Sequence, residues 1–351
     1  MSGYNLKFNG IDRLYDAYSW RLNRRAKAAW KSGDVLQGKY LKQLETEIAE
    51  KYKRKYAIGV GSATDGLYFA MKAVGLNKSS TVLCPAFSYV ATAGAIKRLG
   101  ANIHFADTDK RGNIGDWGIM GLPNAVLYVN MFGNLADYTR LREYCDKHKI
   151  PLIEDAAQSQ GAMYGKKPSG ALGDVSVFSF DPMKNMPSFG TGGMVLTDSK
   201  DVYDSIISLR RHGLNGKTTY GYNSLISEDH ANQLLLLLSK FDKLQKMRDN
   251  VFKKYKQLLP NEEFVETQDN TKSSHHKLVI LCDRRDELKT YLAQNGIETK
   301  VHYTKTLDGK NVGQYPNAET MCAKALSLPI YPHLSMDEII YICERITKFH
   351  V

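Results

Sequence analysis

Lys184 is the residue whose surroundings most clearly suit chemistry. It lies in the run FSFDPMKN, residues 178–185, shortly before the glycine-rich turn GTGG at residues 190–193. Apart from Lys184, residues 183–195 contain no charged side chain. A single lysine usually lies on the solvated surface, and that is the default interpretation. An uncharged neighbourhood instead favours a desolvated amine, which can act as a nucleophile or carry a proton.

Asp155 is a second candidate, because it follows an apolar run in the sequence IPLIEDAA, residues 150–157. A buried carboxyl group without a partner shifts toward its neutral form, whereas a cation keeps it charged. A protonated pyridine nitrogen would be such a cation. A helix cap or a structural ion pair would explain the aspartate equally well.

Two further features could contact a ligand. The sequence GSATDG, residues 61–66, joins a predicted strand to a predicted helix, and a helix that begins in small residues can bind an anion through its N–H groups. A capped helix without a ligand is the commoner explanation, and neither the Walker nor the dinucleotide motif fits. Tyr89 follows the strand TVLCPAF and could stack on a flat ring, or belong to the core.

The elements that position these residues alternate between strands and helices. Apolar strands are predicted at residues 56–61, 81–87, 102–107, 125–133, 150–157, 175–180 and 193–198. Amphipathic helices are predicted between them, at residues 36–55, 62–76, 89–100 and 136–149. This order is typical of an α/β fold with a mainly parallel sheet covered on both faces. Such sheets bind ligands beyond the carboxyl ends of their strands.

A change of pattern after about residue 200 predicts a second, smaller unit. Helices are predicted at residues 201–213, 227–259, 284–295 and 335–349, and strands in HHKLVILCD (275–283) and IETKVH (297–302). The polar stretch at residues 262–274 is the best candidate boundary. We therefore expect a large domain at residues 1–260, which includes the N-terminal segment and the long helix, and a small C-terminal α/β domain at residues 261–351.

Composition excludes several classes of protein. The five cysteines are scattered without a CxxC pair, which argues against a disulfide framework or a zinc site and favours reduced thiols in the cytoplasm. The chain has neither an apolar signal region nor a run long enough to span a membrane. The net charge of +11 is spread along the chain without a nucleic-acid-binding motif, so a solvated basic surface is expected, part of which could attract a nucleotide diphosphate.

Taken together, the motifs resemble those of fold-type I pyridoxal-phosphate enzymes, and most closely the DegT-type nucleotide-sugar aminotransferases. The resemblance runs from about residue 34 to the C-terminus. It is carried by GSATDGL, CPAFSYVATAGAIKRLGA, IEDAAQSQGA, GDVSVFSFDPMKN, GYN and the late SLPIYP. It implies a large domain with a mainly parallel central sheet and a smaller C-terminal α/β domain.

The resemblance also implies a role for each matching residue. Lys184 matches the lysine that holds pyridoxal 5'-phosphate as a Schiff base, and Asp155 matches the acid paired with the pyridine nitrogen. Gln158 matches a residue near the ring hydroxyl, and Tyr89 the stacking aromatic. The remaining matches are Ala63, Thr64 and Ser179 at the phosphate, with Asp65 adding a backbone N–H; Asn223, which reaches the phosphate of the neighbouring subunit; and His302 and Tyr303, a pair near the substrate.

The implied reaction moves an amino group from a donor, glutamate by analogy, to a nucleotide-diphosphate keto sugar, with pyridoxamine phosphate as the intermediate. The implied assembly is a homodimer with shared active sites.

Thr191, Leu225 and Thr304 depart from the family pattern, which usually has Glu, Arg and Pro there, and the segment at residues 213–220 is short. The alternatives are a sugar dehydratase of the same branch, which carries His at the lysine position, a catalytically silent regulatory homologue, and a nucleic-acid binder.

Overall fold

The computed structural model describes residues 5–116, 121–214, 220–309 and 313–351. Its centre is a seven-stranded sheet. The strands of this sheet are β1 (Tyr56–Val60), β2 (Thr81–Pro85), β3 (Asn102–Ala106), β4 (Ala125–Val129), β5 (Leu152–Asp155), β8 (Val175–Ser179) and β9 (Gly193–Thr197). Their spatial order is β1-β9-β8-β5-β4-β2-β3. Strand β9 pairs antiparallel with both β1 and β8, and the other neighbouring pairs are parallel. The predicted α/β fold with a mainly parallel sheet is confirmed.

Helices cover both faces of the sheet because successive side chains of its central strands point to opposite sides. On β8, Val177 packs in the cluster under helix α3, while Phe178 packs in the cluster under α2 and α7. The helices are α1 (Ile11–Ser32), α2 (Lys39–Lys51), α3 (Ala63–Ala73), α4 (Val90–Arg98), α5 (Tyr138–His148), α6 (Lys200–Leu209), α7 (Glu228–Leu258), α8 (Arg285–Gln294), α9 (Pro316–Lys324) and α10 (Met336–His350). None of the helices within the described ranges is both long and apolar enough to cross a membrane.

The C-terminal residues form a smaller antiparallel sheet of order β10-β12-β13. Its strands are β10 (Glu263–Phe264), β12 (Leu278–Leu281) and β13 (Ala325–Leu328). A third small sheet, β11-β6-β7, consists of β6 (Met163–Tyr164), β7 (Lys167–Pro168) and β11 (Thr271–Lys272). Strand β11 follows residue 260 but pairs with β6 of the large domain, and helix α7 contributes Leu234 to one core and Tyr255 to another. The boundary at residue 260 stays a prediction.

Two local predictions are wrong or incomplete. The sequence IETKVH does not form a strand: Ile297 bridges Leu6 and Lys300 bridges Ser327, so its pairing is divided between two partners. Helix α1 was not predicted, since its buried side chains, Leu14, Leu22, Ala26 and Ala29, are thinly spread among charged residues.

Candidate active site

A cavity of about 390 Å³ lies where β5 and β8 end and where α3 and α4 begin. Nine of the eleven predicted site residues line it. They are Ala63, Thr64, Tyr89, Asp155, Gln158, Ser179, Lys184, His302 and Tyr303. Asp65 and Asn223 are described residues that lie outside the lining. The structure thus brings together side chains that are far apart in the sequence.

Lys184 is held in a turn directly after β8. Its backbone N–H donates to the carbonyl of Asp181 (2.9 Å), and the Asp181 carboxylate accepts from the N–H of Met183 (2.9 Å). Burial lowers the pKa of the Lys184 ammonium, while the charges of Asp155 and Asp181 raise it. Because burial is the larger effect, the amine loses its proton more easily than an exposed lysine and is a better nucleophile.

Asp155 ends β5 and is 5% exposed. One carboxylate oxygen accepts from the N–H of Ala157 and the other from the hydroxyl of Thr92, both at 3.1 Å. Burial raises the pKa of Asp155, and the hydrogen bonds from Ala157 and Thr92, together with the charge of Lys184, oppose that rise. A cation bound in the cavity would lower the pKa further and hold the carboxylate charged.

The start of α3 forms the opposite end of the cavity. Ser62 caps the helix by accepting from the N–H of Asp65 (3.1 Å). The N–H groups of Ala63 and Thr64 belong to the first turn, which has no acceptors within its own helix, so they are suited to an anion. A Cβ on Gly193 would lie 2.7 Å from the Ala63 nitrogen, which explains why glycine occupies the start of β9 under this turn.

Asp65 is engaged elsewhere. Its carboxylate accepts from Arg98 at 2.5 Å and from the hydroxyl of Ser224 at 2.7 Å. Since its N–H also donates to the Ser62 cap, Asp65 braces the helix start against neighbouring elements. Its predicted contribution of an N–H to phosphate stays a prediction and would compete with that cap.

Aromatic and amide groups form the walls between the two ends. The rings of Tyr89 and Tyr303 lie 6.0 Å apart and are tilted by 41°. Gln158 accepts from the N–H of Phe132 (3.0 Å), and its amide nitrogen lies 3.4 Å from the Tyr303 hydroxyl. These contacts fix the amide of Gln158 beside the cavity.

Several lining residues were not predicted from the sequence, among them Thr92, His276 and Lys277. Thr92 is the third residue of α4, and its hydrogen bond to Asp155 depends on the packing of α4 beside the sheet. His276 and Lys277 directly precede β12. In the sequence, the only feature that could have indicated them is a pair of basic residues before an apolar run. Among the departures from the family pattern, Thr191 lines the cavity. The short segment at residues 213–220 lies largely outside the described residues.

This donor set fits pyridoxal phosphate. A helix N-terminus with Thr64 and Ser179 suits the phosphate, a buried carboxylate suits a protonated ring nitrogen, and a desolvated lysine amine suits an aldehyde. All of these groups line one cavity. Within the described residues there is no cluster of side chains that could hold a metal ion.

Comparison with known proteins agrees with this geometry. Residues 19–347 match the DegT/DnrJ/EryC1/StrS aminotransferase family. The pleiotropic regulatory protein of Geobacillus stearothermophilus is 30% identical over 99% of both chains. The dTDP-3-amino-3,4,6-trideoxy-alpha-D-glucose transaminase of Streptomyces venezuelae is 30% identical, over 91% of this chain and 89% of the transaminase.

A solved structure extends the similarity to three dimensions. DesV of Streptomyces venezuelae, crystallised in complex with a ketimine intermediate, superposes with a TM-score of 0.94 and 28% identity over 98% of both chains. The predicted fold, enzyme class and pyridoxal-phosphate cofactor are confirmed at the level of the family, while the roles of individual residues stay predictions. The chain belongs to the DegT/DnrJ/EryC1/StrS aminotransferase family.

Proposed function

We propose that this protein transfers an amino group from glutamate to a nucleotide-linked keto sugar, with pyridoxal phosphate held by Lys184. The observation that carries the proposal is that the Lys184 amine, the Asp155 carboxylate and the start of α3 line the same cavity.

Each of these residues has a separate task. Pyridoxal phosphate, when bound, supplies an aldehyde and a ring that accepts electrons. Lys184 Nζ would hold the aldehyde, and its free amine would move a proton between the α-carbon of the donor and the former aldehyde carbon, acting first as base and then as acid. Asp155 holds a positive charge on the ring nitrogen, and Thr92 and Ala157 orient its carboxylate. Tyr89 covers one face of the ring.

The substrate class is supported by a relative and by charge. The Streptomyces venezuelae transaminase is named for a dTDP-linked amino sugar. A net charge of +11 favours the approach of an anionic nucleotide diphosphate. Glutamate is proposed as the donor by family analogy, and the cytoplasm as the compartment because the five cysteines are buried and free.

A homodimer is proposed from the surface near Asn223. Leu214 and Tyr220 both precede Asn223 in the chain, and they are 55% and 84% exposed. Asn223 is itself exposed and lies outside the cavity of its own chain. An exposed apolar surface beside a predicted phosphate ligand is consistent with a second copy packing there, so that Asn223 reaches the partner's cofactor.

The attachment is tested by absorption spectroscopy and borohydride trapping. The wild-type protein, incubated with pyridoxal phosphate, is expected to turn yellow, and borohydride should fix the cofactor on the peptide that contains Lys184. Lys184→Ala should stay unlabelled, whereas Lys166→Ala, at an exposed lysine, should behave like the wild type. A wild-type protein that remains colourless and unlabelled would contradict the proposal.

The reaction is tested with nucleotide keto sugars and ¹⁵N-glutamate. Incorporation of ¹⁵N into the sugar is expected from an aminotransferase. A dehydratase would instead release water and leave the sugar without the label. A catalytically silent regulatory homologue would change neither substrate, and either of these results would overturn the proposed activity.

A further inference from the structure

Lys277 is a second lysine in the active-site cavity, and the proposed reaction assigns it no task. It lines the cavity together with Lys184 and directly precedes β12. Its backbone N–H donates to the carbonyl of Phe132 (3.1 Å), which fixes this end of the small sheet against the large domain. Its Nζ lies 4.6 Å from the centre of the Phe8 ring. Phe8 lines a small adjoining cavity, so the Lys277 side chain lies at the wall between that cavity and the active site.

The charge of Lys277 is poorly compensated. Among the ion pairs of the described residues, none joins Lys277 to a carboxylate within 4.0 Å. Burial lowers the pKa of its ammonium, the charges of Lys184 and Arg248 lower it further, and Asp181 opposes them. Burial thus disfavours the charged form of Lys277, and an anionic ligand would stabilise that form by supplying a counter-charge.

The other basic groups near Lys277 are less suited to this anion. Burial lowers the pKa of His302 to about 3 and that of His276 well below its ordinary value, so both rings are neutral near pH 7. Lys184 is reserved for the cofactor, and the start of α3 for its phosphate. Arg248 donates to the carbonyl of Ile330 (2.7 Å) and lines a small adjoining cavity but not the active-site cavity, whereas Lys277 lines both.

We propose that Lys277 binds a carboxylate of the substrate, and that in the amino-donor step this is the α-carboxylate. The inference rests on the proposed transamination and deepens it. An α-amino acid carries its carboxylate on the same carbon from which Lys184 must remove a proton. The carboxylate must therefore lie in the cavity that Lys184 enters, and Lys277 lines that cavity. A keto sugar that bears an acid group is the second source of such a carboxylate.

The test uses the cofactor-loaded protein and three variants. Lys277→Met removes the charge at similar length, Lys277→Arg keeps the charge, and Lys300→Met removes a charge from the same domain at a half-exposed position outside the cavity lining. Calorimetry measures the binding of glutarate, a dicarboxylate without an amino group, against glutaramide, its neutral analogue. The amino-donor half-reaction is followed by absorbance with L-glutamate, L-glutamine and L-isoglutamine, whose α-carboxyl is an amide.

Loss of a charge-assisted hydrogen bond predicts about tenfold to a hundredfold weaker glutarate binding in Lys277→Met. Glutaramide binding should not change, Lys277→Arg should recover part of the loss, and Lys300→Met should match the wild type. In the half-reaction, Lys277→Met should raise KM for glutamate more than it lowers kcat. It should also abolish the preference for glutamate over isoglutamine while preserving the ratio of glutamate to glutamine.

The two carboxylate sources give different results. A defect that appears with an acidic keto sugar and not with a neutral one assigns the carboxylate to the sugar. If Lys277→Met binds glutarate within twofold of the wild type and handles acidic and neutral sugars alike, the proposal is overturned. Failure of the transamination itself would show separately, as a wild-type protein that binds glutarate but reacts with no amino donor.

Discussion

Asp155 shows how burial and partial hydrogen bonding prepare a residue for a charged ligand. It accepts one bond at each oxygen, which leaves acceptor capacity toward the cavity. Burial alone raises the pKa of the carboxyl group, and the nearby Lys184 charge is too weak a counterweight to cancel it. A second positive charge beside Asp155 would therefore lower its pKa further and favour the ionised carboxylate.

Asp155→Asn is expected to reduce kcat far more than it reduces protein stability. The amide keeps the size of the side chain but cannot stabilise a protonated ring nitrogen, and the loss of a buried charge pair of about 3 kcal/mol or more corresponds to at least about a hundredfold in rate. Steady-state kinetics at saturating cofactor measure the effect. Thr92→Val removes one hydrogen bond to Asp155 but leaves the Asp155 charge in place, so its kcat should fall much less. Equal losses in the two variants would contradict the charge argument.

Lys184 and Lys277 differ in how visible they are in the sequence. Lys184 stands in an uncharged stretch after a strand, so local sequence was enough to single it out. Lys277 follows two histidines and precedes an apolar strand, a pattern that does not reveal which cavity it will face. Its position depends on how the small sheet docks on the turn at Phe132, a long-range contact that local patterns do not contain.

At the scale of elements, prediction succeeded where one physical requirement dominated. Strands β4, β8 and β9 are buried along their whole length, and a continuous apolar run is sufficient evidence for such a strand. The direction of a strand cannot be predicted in this way. Strand β9 is antiparallel to both of its neighbours, yet its composition is no different from that of a parallel strand. IETKVH fails as a strand for a related reason, because its β-like residues are shared between Leu6 and Ser327.

The start of α2 depends on a side chain from another helix. Glu228, at the first residue of α7 and 1% exposed, accepts from the N–H groups of Gly38 (2.8 Å), Tyr40 (2.8 Å) and Leu41 (3.1 Å). These are groups that a helix cannot satisfy internally. A carboxylate also complements the positive end of the α2 dipole. Glu228 therefore joins the two helices that cover one face of the sheet.

Glu228→Ala is expected to lower the free energy of unfolding by about 3 kcal/mol, because three N–H groups, one buried and two half-buried, lose their acceptor. Glu228→Gln keeps one carbonyl oxygen and should lose about half as much. Urea denaturation followed by circular dichroism measures both variants. Glu50→Ala, at an exposed position on α2, serves as the control and should change stability by less than about 0.5 kcal/mol. A Glu228→Ala protein as stable as the control would refute this account of the cap.

His275 makes the contact between α7 and the segment before β12 sensitive to acid. Its ring stacks on Phe252 at 3.9 Å, and its Nε2 lies 3.8 Å from an Asp249 oxygen. Burial lowers the pKa of His275 from 6.5 to about 4, and the charges of Arg248 and Lys272 add to that effect. The unfolded chain therefore binds a proton between pH 6.5 and 4 that the folded chain does not. The contribution of His275 to the free energy of unfolding is fully present above pH 6.5, and it is lost as the pH falls from 6.5 toward 4.

Between pH 7 and pH 5 the His275 contribution should lower the free energy of unfolding by about 2 kcal/mol. His275→Gln removes the titrating group and should flatten the pH dependence by that amount, even if its stability at pH 7 is lower. Urea denaturation at a series of pH values provides the measurement. His212→Asn, at an exposed position, should retain the wild-type slope. If the His275→Gln curve runs parallel to the wild type, the histidine is not the acid-sensitive group.

At the scale of the whole molecule, two predicted site residues, Asp65 and Asn223, lie outside the cavity lining of their own chain. Asn223 is exposed and outside the lining, although its backbone is anchored by a bridge to Arg211. The side chain next to it in the chain, Ser224, is buried and binds Gly61 and Asp65 at the start of α3. Asn223 thus lies close to the start of α3 of its own chain while being exposed, an arrangement that supports the proposed sharing of sites across a dimer.

Hybrid dimers test this arrangement directly. Lys184→Ala and Asn223→Ala homodimers should both be impaired, the first almost completely and the second by about tenfold or more through weaker cofactor binding. In a hybrid of the two, one site combines both defects, whereas the other receives Lys184 from one chain and Asn223 from the other and is intact. Co-expression with two different affinity tags isolates the hybrid, and its activity should approach half that of the wild type. Activity no higher than the mean of the two parent homodimers would show that Asn223 serves its own chain, and the dimer with shared sites would have to be abandoned.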